Sequence, residues 1–362
     1  MRARWLYLSL ALLIGCTEAL IVYERDGGEP ERDASVDAAS DVGIGVDVGP
    51  PDAGDPCRGT QDLTGMPDGC ALVRPPPRPL CDEAGDVPPL EVGFVMPDFR
   101  ASVGYDLDGY CTMLEGVSSC SNTMGTIPDS TAAGTDNAFG LIIMEGLRAV
   151  APAIEGEFAA SARERGVGVP MVRIEDWNGL ANDEQVMVTF AVGADLAGPD
   201  SPDWSAGDVE VQPADGFFNA GGMPLARDLT AYVADGTLVA VIPEALPFDF
   251  AAEGRRLSIA LRDARLVLGM GPEGPTDFTV HGRWSVAEAT AAVELLAPCP
   301  ADVTVRTVAA NLLARAADVR SDRTEDGAGL ACNSVSLAIR FSEPHPIRWG
   351  APVPVDIDPM CM

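Results

Sequence analysis

The sequence predicts a mixed α+β fold: an antiparallel β-sandwich or curved sheet with about three packed helices. Many segments alternate apolar and polar residues with a period of two, which is typical of half-buried strands. These segments follow one another with few helices between them, which favours antiparallel pairing. The chain of 362 residues is also long enough to bury a large core.

Alternating segments in two parts of the chain give the clearest strand predictions. One strand face is formed by Val186, Val188, Phe190 and Val192. A second is formed by Val335, Leu337, Ile339 and Phe341. Weaker alternation runs through residues 236–244 and 257–268. In the latter segment the phase slips at Arg262 and Asp263, which predicts a bulge or a bend.

Helical spacing of apolar residues predicts three helical regions. The first begins at Asn137, and Pro152 either kinks it or starts a second helix that ends at Gly166. The residues Ser-Val-Ala-Glu at 285–288 form a capping box, which marks the start of the next region. The last region spans residues 301–319.

The first residues of the chain carry a targeting signal. Arg2 and Arg4 precede a short apolar run that ends in Leu-Ile-Gly-Cys at residues 13–16, an arrangement typical of a secretory signal peptide. It resembles a bacterial lipoprotein signal, so we expect Cys16 to be the lipidated first residue of the mature protein. A membrane-spanning helix would need about 20 apolar residues, more than this run contains. Because Thr17 and not Asp follows the cysteine, the resemblance implies the outer membrane.

Composition divides the rest of the chain into three parts. Residues 16–56 are rich in Asp, Ala, Gly and Pro, and such a segment cannot bury enough apolar surface to fold. We therefore expect a disordered tether behind the signal peptide of residues 1–15, spanning about 35 Å as a flexible coil. Residues 57–88 place three cysteines among prolines and predict an irregular, disulfide-bonded collar. Residues 89–362 form the predicted β-rich globular domain.

Charge restricts the partners of this protein. The chain has 24 basic and 55 acidic residues, for a net charge of -31, and every basic residue is arginine. An acidic surface repels phosphate backbones, so nucleic acid is not an expected partner, whereas divalent cations are attracted. The lack of lysine excludes Schiff-base chemistry on a lysine side chain.

The cysteine count agrees with export to an oxidising compartment. Nine cysteines are present, and the eight other than Cys16 form up to four disulfides. The nearest neighbours suggest two pairs, Cys111–Cys120 and Cys299–Cys332. A zinc site is disfavoured, because no Cys-x-x-Cys spacing occurs and the chain has only two histidines.

An acidic loop gives the sharpest candidate site. Asp106 and Asp108 are followed by Gly109, and Glu115 comes six residues after that glycine. This spacing repeats part of an EF-hand loop, so we expect an irregular calcium site with Asp106, Asp108 and Glu115 as ligands. The alternative is an acidic Asx-type turn without an ion, since Gly104 stands where an EF-hand has its first Asp.

Two further polar segments could add ligands. Asp129 and the triplet Thr135-Asp136-Asn137 lie downstream of the acidic loop, but Asp136 and Asn137 are better explained as helix caps. The segment Asp176-Trp177-Asn178-Gly179 lies between two predicted strands, which favours a polar hairpin loop. Trp177 at its tip either stacks on a ligand or folds back onto the core.

The order of these motifs resembles that of a family of uncharacterised lipoproteins from myxobacteria and their relatives. The resemblance rests on the lipoprotein signal, the tether, the Asp-x-Asp-Gly turn, Gly-Thr-Asp-Asn-Ala at 134–138 and the loop at 177–183. It implies a lipid-anchored envelope protein and supplies no catalytic residue.

Three functions remain open from the sequence. The first is a non-enzymatic envelope protein, with calcium as a candidate cofactor and an envelope protein or glycan as candidate partner. The second is a tethered hydrolase that acts on glycan or cell-wall polymer through a carboxylate pair. The third is a lipid carrier with an apolar cavity. A histidine-based hydrolase is disfavoured, because His281 and His345 lie in no hydrolase motif.

Overall fold

The computed structural model describes residues 74–80, 85, 87–112, 118–122, 125–198, 201–243, 245–252, 255–297, 299 and 303–355. The predicted signal peptide, Cys16, the tether and most of the collar lie outside these residues. Contacts divide the chain into two units, Met1–Pro51 and Asp52–Met362, and everything described here belongs to the second.

One large sheet dominates the described part of the chain. Its strands are β1 (Leu90–Asp98), β2 (Pro170–Glu175), β3 (Asp183–Leu196), β4 (Glu210–Pro213), β5 (Arg227–Ala234), β6 (Thr237–Ile242), β7 (Leu246–Ala252), β8 (Arg255–Gly271), β9 (Gly274–Ser285), β10 (Ser334–Pro346) and β11 (Arg348–Trp349). The order is β11-β4-β3-β2-β1-β10-β9-β8-β6-β5, with β7 beside β8. Every pairing is antiparallel except that of β11 with β4.

The sheet closes on itself because β3 also pairs with β5. Within the described residues, eight strands therefore form a closed ring, in the order β1, β2, β3, β5, β6, β8, β9 and β10. The other three strands lie outside the ring: β4 pairs with β3, β11 pairs with β4, and β7 pairs with β8. The α+β class and the curved antiparallel sheet expected from the sequence are confirmed.

Phenylalanine rings fill the interior of the closed sheet. Phe190 on β3 and Phe278 on β9 lie on strands that are not neighbours, yet their ring centroids are 5.8 Å apart. Phe94 and Phe341 lie 5.5 and 5.6 Å from Phe278, so rings from β1, β9 and β10 meet across the same space. Burial of such side chains is the main source of stability for a fold of this kind.

The helices follow the predicted boundaries closely. A π-helix (Phe139–Met144) runs into α1 (Glu145–Val150), and α2 (Ile154–Arg165) starts after the break at Pro152. Gly166 ends α2 in the left-handed conformation, with φ of 72°. Helices α3 (Val286–Leu296) and α4 (Val303–Ala316) follow β9. No helix of the described residues is long and apolar enough to cross a bilayer.

Local sequence signals explain several of these boundaries. Ser285 caps α3 by accepting a hydrogen bond from the Glu288 backbone N–H at 3.2 Å, as the capping box predicts. The predicted bulge in β8 is also present, because the register against β9 shifts between Arg262 and Arg265. Asp263 adopts a φ of 49° at this point.

The outer face of β9 and β10 is buried by loops. On β9 the alternate residues Thr279, His281 and Arg283 face away from the phenylalanine core and are nevertheless buried. The Tyr105 ring lies 4.9 Å from the ring of His281. Arg283 donates hydrogen bonds to the carbonyls of Leu107 and Arg320, both at 2.8 Å. The loop after β1 and the segment before β10 therefore cover this face, and they carry the acidic residues.

Candidate metal centre

Three aspartates from two loops converge outside the sheet. Asp106 and Asp108 lie in the loop after β1, and Asp136 lies just before the π-helix. One carboxylate oxygen from each lies within 4.8 Å of the others. The structure thus brings together two of the three predicted calcium ligands. The third, Glu115, lies outside the described residues.

The loop after β1 is held by its own aspartates. The Gly109 N–H donates to Oδ1 of Asp106 at 2.6 Å, and the Tyr110 N–H donates to Oδ1 of Asp108 at 2.9 Å. Gly109 has a φ of 81°, which a residue with a side chain adopts only at a cost. The Asx-type turn that the sequence allowed is therefore present, and it accounts for the conformation of this loop.

Asp136 ties the acidic loop to the start of the first helical region. Its Oδ2 accepts hydrogen bonds from the N–H groups of Leu107 at 2.8 Å and Asp108 at 3.4 Å. The expectation that Asp136 caps the helix is wrong, because its carboxylate bonds to the loop. Asn137 does act at the helix start, where its Oδ1 accepts from the Gly140 N–H at 3.0 Å.

Negative charge exceeds positive charge around this site. Asp318 lies close enough to influence Asp108 and Asp136, and Asp326 lies close enough to influence Asp108, which makes a group of five carboxylates. Within the described residues, Arg74 pairs with Asp106 at 3.1 Å and Arg283 pairs with Asp326 at 2.6 Å. Two positive guanidinium groups thus face five carboxyl groups. Among the described residues, Asp108, Asp136 and Asp318 have no ion pair with either arginine, and the uncompensated negative charge lies on these three.

Burial makes ionisation of these carboxyls costly. Burial, followed by the charges of Asp108 and Asp318, raises the pKa of Asp136 well above its usual range. Burial raises the pKa of Asp108 to about 6 and that of Asp318 to about 7. The pKa of Asp106 is also raised by burial, although the Gly109 N–H and Arg74 oppose the shift.

Ser119 adds a buried hydroxyl beside the carboxylates. The residue is 1 % exposed. Its hydroxyl lies beside the Asp108 carboxylate and counteracts the rise in that carboxyl's pKa. However, no atom in the described part of the chain meets hydrogen-bond geometry with Ser119 Oγ. The site therefore offers a hydroxyl oxygen in addition to carboxylate oxygens.

The donor set suits a hard cation. Carboxylate and hydroxyl oxygens are the ligands that Ca²⁺ prefers, whereas Zn²⁺ prefers nitrogen and sulfur. The nearby imidazole of His281 is fully buried, and neither ring nitrogen has a hydrogen-bond partner among the described residues. Burial, with a smaller effect from the charge of Arg265, lowers the pKa of His281 to about 3, so this imidazole is neutral at physiological pH. His345 lies elsewhere, 5.7 Å from the ring of Trp204.

A disulfide fastens the segment that carries Ser119. Cys120 bonds to Cys332, with the Cα atoms 5.1 Å apart. Both predicted pairs, Cys111–Cys120 and Cys299–Cys332, are therefore wrong. Cys111 and Cys299 are also disulfide-bonded.

The reason for the wrong pairing lies in the tertiary structure. Backbone hydrogen bonds run from Ser121 N–H to the Leu330 carbonyl and from Cys332 N–H to the Ser121 carbonyl, at 2.8 and 2.9 Å. These bonds place Cys120 beside Cys332. Nearest-neighbour spacing contains no signal for this long-range contact.

The second acidic segment is a hairpin loop, as predicted. It connects the antiparallel strands β2 and β3. The Asn178 N–H donates to Asp183 Oδ2 at 2.8 Å, and the Trp177 indole N–H donates to the Leu180 carbonyl at 3.0 Å. Trp177 is 4 % exposed and packs into the main core. Of the two roles considered for this side chain, the structure supports packing.

No protein-family model, curated protein or solved structure matches this chain.

Proposed function

We propose that this chain is a lipid-anchored envelope protein whose folded domain binds or scaffolds another envelope component, a protein or a glycan. The observation that carries the proposal is the Leu-Ile-Gly-Cys sequence at residues 13–16 behind Arg2 and Arg4. The lipid on Cys16 attaches the protein to the outer membrane. The acidic tether keeps the domain clear of the lipid headgroups.

The disulfide chemistry of the domain supports an exported protein. Cys111, Cys120, Cys299 and Cys332 are all disulfide-bonded. Such bonds persist in oxidising compartments and are rare in the cytosol. The net charge of -31 also favours a soluble, tethered domain that stays apart from anionic headgroups.

The arrangement of carboxylates favours binding over glycan hydrolysis. Hydrolases of that class hold two carboxylates about 5 to 9.5 Å apart, flanking a substrate cleft. In the cluster described above, one carboxylate oxygen of each of the three aspartates lies within 4.8 Å of the other two, and Asp106 and Asp136 are buried. Two described cavities bear on this point. The one of about 640 Å³, between the β8–β9 turn and the end of β10, has a single carboxylate, Glu273, in its lining. A second, of about 360 Å³ beside β4, is lined by Asp203, Asp208 and Glu210, and it is the cavity that a carboxylate-pair hydrolase would have to use. A lipid carrier is also disfavoured, since phenylalanine rings fill the closed sheet.

The test is the fate of the Cys16→Ser variant in a bacterial host with the lipoprotein pathway. We expect the unaltered chain to incorporate an alkyne-labelled fatty acid and to sediment with outer membranes. Cys16→Ser is expected to lose the label and leave the membrane fraction. Thr17→Ser, a matched control beside the same position, is expected to behave as the unaltered chain does. Equal labelling and membrane attachment of Cys16→Ser would overturn the proposal.

A further inference from the structure

We infer that Asp106, Asp108 and Asp136, together with the Ser119 hydroxyl, bind one calcium ion that holds three segments against the outer face of the sheet. This site differs from the EF-hand-like loop that the sequence suggests, because Asp136 and Ser119 come from other parts of the chain. It goes beyond the proposed function and does not depend on the lipid anchor.

The first argument is the lack of compensating positive charge. Arg74 bonds to Asp106, but Asp108 and Asp136 have no guanidinium partner among the described residues. Two ionised carboxylates in contact range, one buried and one partly buried, repel each other strongly when no cation separates them. A divalent ion at their common centre would remove this repulsion.

The second argument is the direction of the existing hydrogen bonds. Backbone N–H groups donate to Oδ1 of Asp108 and to Oδ2 of Asp136. These bonds fix both carboxylates, and within the described residues the second oxygen of each accepts no backbone N–H and can face a cation. Ligands held in advance by their own hydrogen bonds bind metal more tightly than flexible ones do.

Ser119 provides an observation independent of the acidic cluster. A buried hydroxyl without a partner costs free energy, so almost all such groups in proteins are satisfied. Among the described residues, Ser119 Oγ has no partner that meets hydrogen-bond geometry, although its hydroxyl lies close enough to the Asp108 carboxylate to lower that carboxyl's pKa as a hydrogen bond does. A calcium ion between them would satisfy this oxygen.

The burial of the site indicates a structural ion. Asp106, Asp136 and Ser119 are each at most 5 % exposed. Asp108 is partly exposed. Binding would therefore stabilise the packing of the loops on β9 and β10.

The test is calcium titration of the full chain in detergent after treatment with a chelator. We expect the melting temperature to rise with calcium and to saturate, with much weaker effects of magnesium and none of sodium. Asp136→Asn retains an acceptor for the Leu107 N–H while it removes the charge. We expect this variant to melt at least as high as the unaltered chain without calcium, and its calcium Kd to rise at least about tenfold.

Two further variants sharpen the test. Ser119→Ala is expected to weaken calcium binding several-fold, while Asp277→Asn, which removes an exposed acidic charge on β9, is expected to leave it unchanged. Cys16→Ser is expected to bind calcium normally, so failure of the anchor and failure of the calcium site are distinguishable. The inference is overturned if calcium neither raises the melting temperature nor gives a heat of binding. It is also overturned if Asp136→Asn and Ser119→Ala both bind calcium as the unaltered chain does.

Discussion

Removal of the Asp326 carboxylate is predicted to destabilise the domain severely. Arg283 is fully buried on β9, and its two terminal nitrogens bond to the two oxygens of Asp326 at 2.9 and 2.6 Å. Burial lowers the pKa of Arg283, but the hydrogen bonds and charge of Asp326 raise it above its ordinary value. In Asp326→Ala this guanidinium would stay charged and buried, and its nearest remaining carboxylate would be that of Asp263, 3.9 Å from Nε.

The magnitude follows from the two lost contacts. Hydrogen bonds to a charged group contribute about 1.5 to 3 kcal/mol each. Breaking a buried ion pair by removing one partner costs about 3 to 5 kcal/mol. Since the carbonyls of Leu107 and Arg320 still accept bonds from Arg283, we expect a loss of about 3 to 4 kcal/mol in the free energy of unfolding.

A more exposed ion pair, between β9 and β10, serves as the control. Arg340 and Asp277 lie 2.6 Å apart, but their side chains are 47 % and 30 % exposed. Asp277→Ala should cost at most about 1 kcal/mol. Urea unfolding at neutral pH, followed by tryptophan fluorescence, compares the two variants under one condition. A loss for Asp326→Ala no larger than that for Asp277→Ala would refute the reasoning.

Two other predictions concern buried polar groups. The pKa of Asp318 is raised from 3.8 to about 7 in the folded protein, so the folded state binds this proton more tightly than the unfolded state does. In calcium-free protein we therefore expect the urea midpoint to fall as pH rises from about 4 to 7. Asp318→Asn should make the midpoint depend less on pH. An equally steep dependence in this variant would contradict the prediction. Asn137→Ala is predicted to lower the free energy of unfolding by about 2 to 5 kcal/mol. The Asn137 amide accepts from the Ala338 N–H at 3.1 Å and donates to the Ala338 carbonyl at 3.2 Å. Removing the amide leaves both of these buried groups without this partner. Asn219→Ala in an exposed loop is the control in the same urea assay, and equal losses would show that the Asn137 contacts contribute little.

Sequence reasoning succeeded where a local rule determines the structure. The capping box at Ser285, the stop at Gly166 and the bulge beside Asp263 each depend on a few adjacent residues. Period-two alternation likewise identified the strand faces that carry Phe190 and Phe341. These signals can be read from the sequence because the interactions involved span only a few positions.

Contacts between distant segments were missed for the same reason. The β3–β5 pairing that closes the sheet, the partner of Cys120 and the approach of Asp136 to Asp108 all depend on the final packing. Arg283 illustrates the limit: it lies in the outward phase of β9, where a charged side chain is ordinarily exposed, but loops bury it. Burial of a polar residue on the outer face of a strand can be recognised only when the positions of the covering loops are known.

The Cys120–Cys332 bond has a consequence for the order of biogenesis. Synthesis proceeds from the N-terminus, so Cys120 becomes available 212 residues before its partner. Cys111 lies nearby in the sequence, and because each of these two cysteines has another partner in the native protein, an early bond between them would be non-native. A chain that forms this early bond needs thiol–disulfide exchange before Cys120 can pair with Cys332. The yield of native protein should then depend on thiol–disulfide exchange in the compartment where the chain folds.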